Sequence, residues 1–189
     1  MPAHHPFFHQ TNTSTKQFTL TATATNAPQI HVVASTQGDT LQLSYYIKQC
    51  DWLDLPFCST NEPERQDFLW ENHCLECFFD LQNTNAKSYF EMNYSPKGAF
   101  NLYRFDDYRT PSTLPPVWAD GSVMVMAKPH PPAFYVYHLK IKLGSINQMS
   151  ISNINPATIL YRDGTPIFYA VQHASPPDFH DKAFWQTLA

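Results

Sequence analysis

Clusters of basic residues are missing from this sequence. Its 12 lysines and arginines are outnumbered by 16 acidic residues, which gives a formal net charge of -4 at neutral pH. Binding to nucleic acid requires a basic stripe that follows the phosphates, so we do not expect a nucleic-acid partner. There is also no run of about 18 apolar residues, the length needed to span a bilayer, so we expect no membrane insertion.

Glycine is scarce, with 5 residues against 16 prolines, and charged residues make up only 15% of the chain. Aromatic residues reach the same 15%. Aromatic side chains favour strands, and prolines fall in turns and at sheet edges, so this composition favours an all-β class. At 189 residues the chain is predicted to form a single domain over 18–189, after a flexible N-terminal lead-in over 1–17.

The N-terminal stretch has neither a basic region nor an apolar region of the kind found in secretory signals, so we expect a cytoplasmic protein. The four cysteines would then be reduced thiols. Cys74 and Cys77 form a C-x-x-C pattern, but it lies in a predicted strand. Positions three apart in a strand point to opposite faces, which favours two ordinary core cysteines over a redox or zinc motif.

Alternating polar and apolar residues predict three consecutive antiparallel strands over 74–81, 88–94 and 99–105. One face of this group is apolar, and the other carries Glu76, Glu91, Asn93, Asn101 and Tyr103. Similar patterns predict further strands over 18–24, 30–35, 40–48, 122–127, 134–143, 157–161 and 166–173. About ten short strands indicate an antiparallel β-sandwich. The polar segment 145–156 suggests a turn of helix, and Asp178 is a plausible N-cap of a short C-terminal helix.

Several motifs give the chain a family resemblance. The segments LWE at 69–71, CLECF at 74–78, YFEMNYSPKG at 89–98 and PDFH at 177–180 resemble the bacterial DOMON-like family, which is similar to family 9 carbohydrate-binding modules. The resemblance covers approximately residues 18–188 and implies an immunoglobulin-like or jelly-roll sandwich. In the wider superfamily such domains bind sugars or haem, usually without catalysis. Asn101 stands where an aromatic residue is expected after the Ser-Pro-x-Gly turn.

Glu76 and Glu91 are the leading site candidates, because two carboxyls on adjacent strands can share a proton, bind a cation or hold sugar hydroxyls. A structural hydrogen-bond network is the alternative. We predict a non-catalytic site for a saccharide or sugar-containing metabolite, with no catalytic residue and no metal ligand. Its predicted lining is Glu76, Glu91, Asn93, Tyr103 and Arg109, with His173 at the margin and Trp118 on the rim.

Other functions remain open at this stage, and the cofactor is unknown. Haem would need an axial ligand such as His173, His138 or Met92. Calcium could bind at Asp106 and Asp107. An enzyme using the Glu76 and Glu91 pair as acid and base is a less favoured alternative, because no nucleophile or activated base is recognisable nearby. Formation of a homodimer is possible as well.

Overall fold

In the computed structural model the regular secondary structure of the described residues is almost entirely β-strand. The structure describes residues 14–57, 62–82, 84–112, 116–130, 133–146 and 149–188. Its strands are β1 Thr15–Ala22, β2 Ile30–Gln37, β3 Thr40–Lys48, β4 Glu64–Arg65, β5 Cys74–Leu81, β6 Tyr89–Ser95, β7 Ala99–Phe105, β8 Ser122–His130, β9 Phe134–Lys142, β10 Ile151–Arg162, β11 Thr165–Ala170 and β12 Gln186–Thr187. Two short 3-10 turns span Leu69–Glu71 and Lys182–Phe184. The prediction of an all-β fold is confirmed.

These strands form one curled, mixed sheet in the order β4-β7-β6-β5-β10-β11-β1-β2-β3-β9-β8, with β12 pairing beside β10. All pairs are antiparallel except β4 with β7. Strand β1 continues the sheet around its bend, because its residues 15–20 pair with β2 while Thr21 and Ala22 pair with β11. The predicted sandwich therefore stays a prediction, since the strands follow a single hydrogen-bonded path.

The main apolar core lies inside this curl. It joins alternate residues of β2, β3 and β9 to alternate residues of β5, β6 and β7. Tyr45 on β3 donates a hydrogen bond across the core to the backbone carbonyl of Glu76 on β5. We call the side of β5, β6 and β7 that meets this core the inner face, and the opposite side the outer face. The two halves of the sheet are thus held together by packing as well as by β1.

Strand boundaries in the middle of the chain agree with the sequence pattern. Strands β3, β5 and β7 begin and end at the predicted residues. The C-x-x-C cysteines are both buried free thiols, with Cys77 in the inner core and Cys74 in a separate small cluster. At the N-terminus, β1 begins at Thr15, three residues before the predicted start. Residues 1–13 of the predicted lead-in, and Cys58, lie outside the described residues.

The sequence interpretation was wrong at the C-terminus. The predicted helix is only the 3-10 turn Lys182–Phe184, which is followed by β12. Its N-cap is Asp181, whose side chain accepts a hydrogen bond from the amide of Ala183, and not Asp178. The indole Nε1 of Trp185 donates to the carbonyl of Phe179 at 2.9 Å. The segment is therefore held by side chains such as Trp185 that pack on the sheet, and not by the backbone hydrogen bonds of a longer helix.

The segment predicted as a turn of helix also differs. Residues from Ile151 onward belong to β10, a strand of 12 residues that contacts β5, β11 and β12. Its polar residues have protein partners: the amide of Asn153 donates to Asp80 at 2.8 Å, and Asn155 Nδ2 donates to the carbonyl of Phe179 at 3.2 Å. Polar residues can occupy a buried strand when such partners are present.

No helix among the described residues is long and apolar enough to cross a membrane.

Candidate functional site

The outer face of β5, β6 and β7 carries the two predicted glutamates. Glu76 on β5 lies opposite Asn93 on β6, and Phe78 lies opposite Glu91. Glu76 and Glu91 are therefore diagonal neighbours, an arrangement that places side chains of this length within reach of each other. Both residues are almost fully buried, with Glu76 2% exposed and Glu91 6% exposed. The predicted common face is thus present.

A pocket of about 520 Å³ opens above these two carboxyls. This volume lies within the range of about 300–1,000 Å³ that is common for small-ligand sites. The polar part of its lining is Glu76, Glu91, Arg109, Ser112, Asp178 and His180. The apolar part is Phe68, Trp70, Phe78, Phe105, Pro111, Ile159, Phe168, Pro177 and Phe179. A floor with two carboxyls is therefore surrounded by mainly aromatic walls.

One wall comes from the C-terminal segment that folds over the outer face. Asp178 accepts hydrogen bonds from the hydroxyl of Tyr108, from the guanidinium of Arg109 at 2.9 Å and from the amide of His180 at 3.0 Å. Burial alone would raise the pKa of Asp178, but the hydrogen bonds from Tyr108 and Arg109 outweigh it and lower the pKa. This ionised carboxylate holds the segment and the arginine in place.

Glu91 takes part in a chain of polar contacts. Its Oε1 accepts a hydrogen bond from Asn93 Nδ2 at 2.8 Å, and its Oε2 lies 3.8 Å from His180 Nε2. The Tyr89 hydroxyl accepts from the amide of Arg109, so its own hydrogen is available to His180 Nδ1 at 2.7 Å. Because Nδ1 then accepts a hydrogen bond, the single ring hydrogen of a neutral His180 lies on Nε2, the nitrogen on the side of Glu91.

Burial sets the charge states of this chain. It raises the pKa of Glu91 to about 7, against the opposing effects of the Asn93 hydrogen bond and of Arg109. It lowers the pKa of His180 to about 4, and the positive charge of Arg109 acts in the same direction. At neutral pH the imidazole is therefore uncharged, and Glu91 exchanges between its two protonation states.

Glu76 is more isolated. Burial, followed by the proximity of Glu91, raises its pKa well above the ordinary value. Within the described parts of the chain, only the nearby Cys74 thiol acts in the opposite direction on this pKa. A thiol is a weak donor. A carboxyl that lines a pocket with so little support from the protein is free to bind a ligand group.

Arg109 also lines the pocket, as predicted, but Asn93, Tyr103, His173 and Trp118 do not. Asn93 is fully buried beside Glu91, and its Oδ1 has no hydrogen-bond partner in the described structure. The Tyr103 hydroxyl donates to Asp67 at 3.1 Å. His173 Nε2 forms a hydrogen bond of 2.7 Å with the carbonyl of Thr21. Contact between a ligand and any of these residues stays a prediction.

Trp70 and Trp118, two of the tryptophans outside regular strands, lie on different sides of the sheet. Trp118, the predicted rim residue, packs edge-on against Phe90, and its Nε1 donates to the carbonyl of Leu143 at 3.4 Å. It borders the inner core and is not part of the pocket lining. Trp70 lines the pocket instead, and it packs there against Phe68.

Asn101 belongs to a structural network and not to the pocket. Its Nδ2 donates to Asp67 at 2.8 Å, and its Oδ1 accepts from Arg65 at 2.9 Å. Arg65 lies on β4, the parallel edge strand, and also donates to the carbonyl of Gly121. The amide at this position therefore fixes the connection 62–68 to β7.

The described structure adds little to the cofactor alternatives. Asp107 pairs with Lys87 at 2.9 Å, and no cluster of three metal-ligating side chains occurs among the described residues. Met92 is fully buried in the inner core, and His138 Nδ1 lies 2.8 Å from the Ser44 hydroxyl. Haem and calcium binding stay predictions, with no observation that favours them.

Asp178, Phe179, His180 and Phe68 are among the pocket residues that sequence reasoning missed. The sequence pattern indicates an N-cap role for Asp178, and the other three are not among the predicted site residues. The signal was the PDFH motif, in which a polar, an aromatic and a titratable residue lie together. Phe68 gives a second clue, because it is 47% exposed, with a left-handed backbone at φ 60°. A left-handed backbone at a bulky residue is strained, and such strain clusters at ligand-binding sites.

No protein-family model matches the chain, and no curated protein matches it either. Among solved structures, the chain is similar to that of a Bacteroides uniformis protein proposed to bind carbohydrate. The two share 12% sequence identity at a TM-score of 0.59, over 91% of this chain and 84% of the other. At this identity the likeness concerns the fold.

Proposed function

We propose that the chain is a DOMON-like, sandwich-type domain that binds a saccharide, or a metabolite containing one, without converting it. The observation that carries this proposal is the pocket in which Glu76 and Glu91 form the floor and aromatic rings form the walls. Sugars present hydroxyls along their edges and apolar C–H groups on their faces. Carboxyls suit the hydroxyls, and rings such as Trp70 suit the faces.

Two further observations support a binding role. The solved structure of similar fold comes from a protein proposed to bind carbohydrate. The pocket is also wide enough for a sugar ring while remaining anchored to a rigid sheet, which favours a preformed site. Arg109 and His180 add donors on one side, so hydroxyls have both donors and acceptors available.

A thermal-shift and calorimetry screen against neutral sugars, amino sugars and nucleotide sugars tests the proposal. A ligand present at 100 times its dissociation constant should stabilise the fold by about 2.7 kcal/mol. We expect Trp70→Ala to weaken the binding of a hit by about tenfold or more. Trp118→Ala is the matched control, because it removes the same ring from the opposite side of the sheet.

Two results would contradict the proposal. One is a screen in which no sugar binds saturably. The other is equal weakening by Trp70→Ala and Trp118→Ala, which would show that the pocket is not the site. Turnover of a bound sugar would replace a binding role with an enzymatic one.

A further inference from the structure

Among the described residues, no lysine or arginine forms an ion pair with the carboxyls on the pocket floor. Five ionisable side chains line the pocket: Glu76, Glu91, Arg109, Asp178 and His180. Arg109 and Asp178 form an ion pair at 2.9 Å, so their charges largely cancel. His180 is held uncharged by burial, which lowers its pKa to about 4. The remaining groups, Glu76 and Glu91, are both acidic.

The walls around these acids favour a cation. Six aromatic residues line the pocket: Phe68, Trp70, Phe78, Phe105, Phe168 and Phe179. The faces of aromatic rings carry partial negative charge and attract ammonium groups, most strongly where water is excluded. An aromatic enclosure with two carboxyls that lack a lysine or arginine partner therefore provides both components of an ammonium site.

We propose that the ligand of this pocket is a sugar carrying a protonated amine, with its ammonium group placed between Glu76 and Glu91. This inference rests on the proposed function and makes it more specific, because it selects amino sugars over neutral ones. The ammonium has three donors, which the four oxygens of two carboxylates can accept. The sugar ring then lies against the aromatic walls, and its hydroxyls contact Arg109 and His180.

Binding of such a ligand should release protons from the floor. Both acids have raised pKa values because of burial, and that of Glu91 lies at about 7. An ammonium group between them favours their ionised forms. Affinity should therefore increase as the pH rises through about 7, up to the point where the amine itself loses its proton.

The test compares three forms of each sugar by calorimetry on the unmodified protein. Glucose, galactose and mannose are each offered as the parent sugar, the 2-amino sugar and the N-acetylated 2-amino sugar. Acetylation removes the charge but keeps the nitrogen, so it separates charge from shape. We expect one 2-amino sugar to bind at least about tenfold more tightly than both of its neutral forms. In buffers of different ionisation enthalpy, its binding should show proton release.

Glu76→Gln and Glu91→Gln provide a second readout, because each keeps the size of the side chain and removes the charge. We expect either change to reduce the ratio of the affinities for the amino and the neutral sugar about tenfold. Equal affinity for the amino and neutral forms would overturn this inference and leave saccharide binding standing. Binding of none of the nine sugars, nor of any other saccharide screened, would overturn both.

Discussion

The inner and outer faces of β5, β6 and β7 are buried to nearly the same extent, yet they differ in kind. On the inner face, Phe79, Phe90 and Met92 pack into the closed main core. On the outer face, Phe78 and Glu91 lie beneath a pocket, although both are at least 94% buried. Depth of burial alone therefore does not separate folding residues from ligand residues. What separates them is whether the far side of the side chain meets protein or open space.

Two adjacent phenylalanines give the sharpest test of this difference. Phe79 stacks on Phe90 in the inner core, at a centroid distance of 5.6 Å. Its replacement by alanine should leave a cavity and lower the free energy of unfolding by about 3–5 kcal/mol. Phe78 already borders open space, so Phe78→Ala should cost less, about 1–3 kcal/mol. Urea denaturation of both variants measures the two losses, and equal losses would remove the distinction between the faces.

Acidity of the outer face should make stability depend on pH. The pKa of Glu91 is raised from 4.5 to about 7 in the fold, so the folded state holds this proton more tightly than the unfolded state. Its contribution is fully present below about pH 4.5 and is lost as the pH rises through about 7. The loss amounts to as much as about 3 kcal/mol. We expect the wild type to lose stability relative to Glu91→Gln between about pH 5 and about pH 8.

The pKa shift of His180 changes the stability with pH in the opposite direction. The wild type must therefore be compared with Glu91→Gln. The pKa of His180 is lowered from 6.5 to about 4, so its contribution is present above about pH 6.5 and is lost as the pH falls through about 4. Denaturant titrations of both proteins across this range cancel the shared histidine contribution. If the free energy of unfolding depended on pH in the same way for the wild type and Glu91→Gln, the pKa of Glu91 would not be raised in the fold.

Lys182, which holds the C-terminal segment to the sheet, should have a smaller effect on stability. Lys182 Nζ donates to Asp80 at 3.1 Å and to the carbonyls of Ala86 and Ser88. We expect Lys182→Met to lower the free energy of unfolding by about 1–2 kcal/mol, because Asp80 loses a partly buried partner. Ligand binding should weaken too, because the same segment carries the pocket wall.

The exposed ion pair of Lys87 and Asp107 is the matched control for Lys182. We expect its removal to have the smallest effect on stability. Lys87 bonds to Asp107 at 2.9 Å, but its side chain is 69% exposed. Lys87→Met should leave the free energy of unfolding nearly unchanged, because water screens the pair. Chemical denaturation measures both lysine variants. A loss at Lys87 as large as that at Lys182 would contradict the role assigned to the C-terminal segment.

The floor of the pocket could be predicted from the sequence because it is local. Period-two alternation separates Glu76 and Glu91 from the apolar residues of their own strands, and the pairing of these neighbouring strands brings the two to one face. The walls could not be predicted in the same way. His180 lies 89 positions after Glu91, and no repeating pattern connects the two.

The sequence could not show which tryptophan lies at the pocket, for a related reason. Trp70 and Trp118 both lie outside regular strands, so no alternation fixes their side of the sheet. Their positions depend on the paths of two connections, which are set by distant contacts such as that of Arg65 with Gly121. The polar residues of β10 were misread because their partners, including Asp80, come from other strands.

The late position of Asp178, Phe179 and His180 in the chain has a kinetic consequence. Contacts between distant segments form slowly, because closing a long loop costs entropy before the contacts are gained. If the floor strands pair before this segment docks, the complete pocket is absent from the folding transition state. A ligand would then leave the refolding rate nearly unchanged and slow unfolding instead. Its effect would be to lengthen the lifetime of the folded protein.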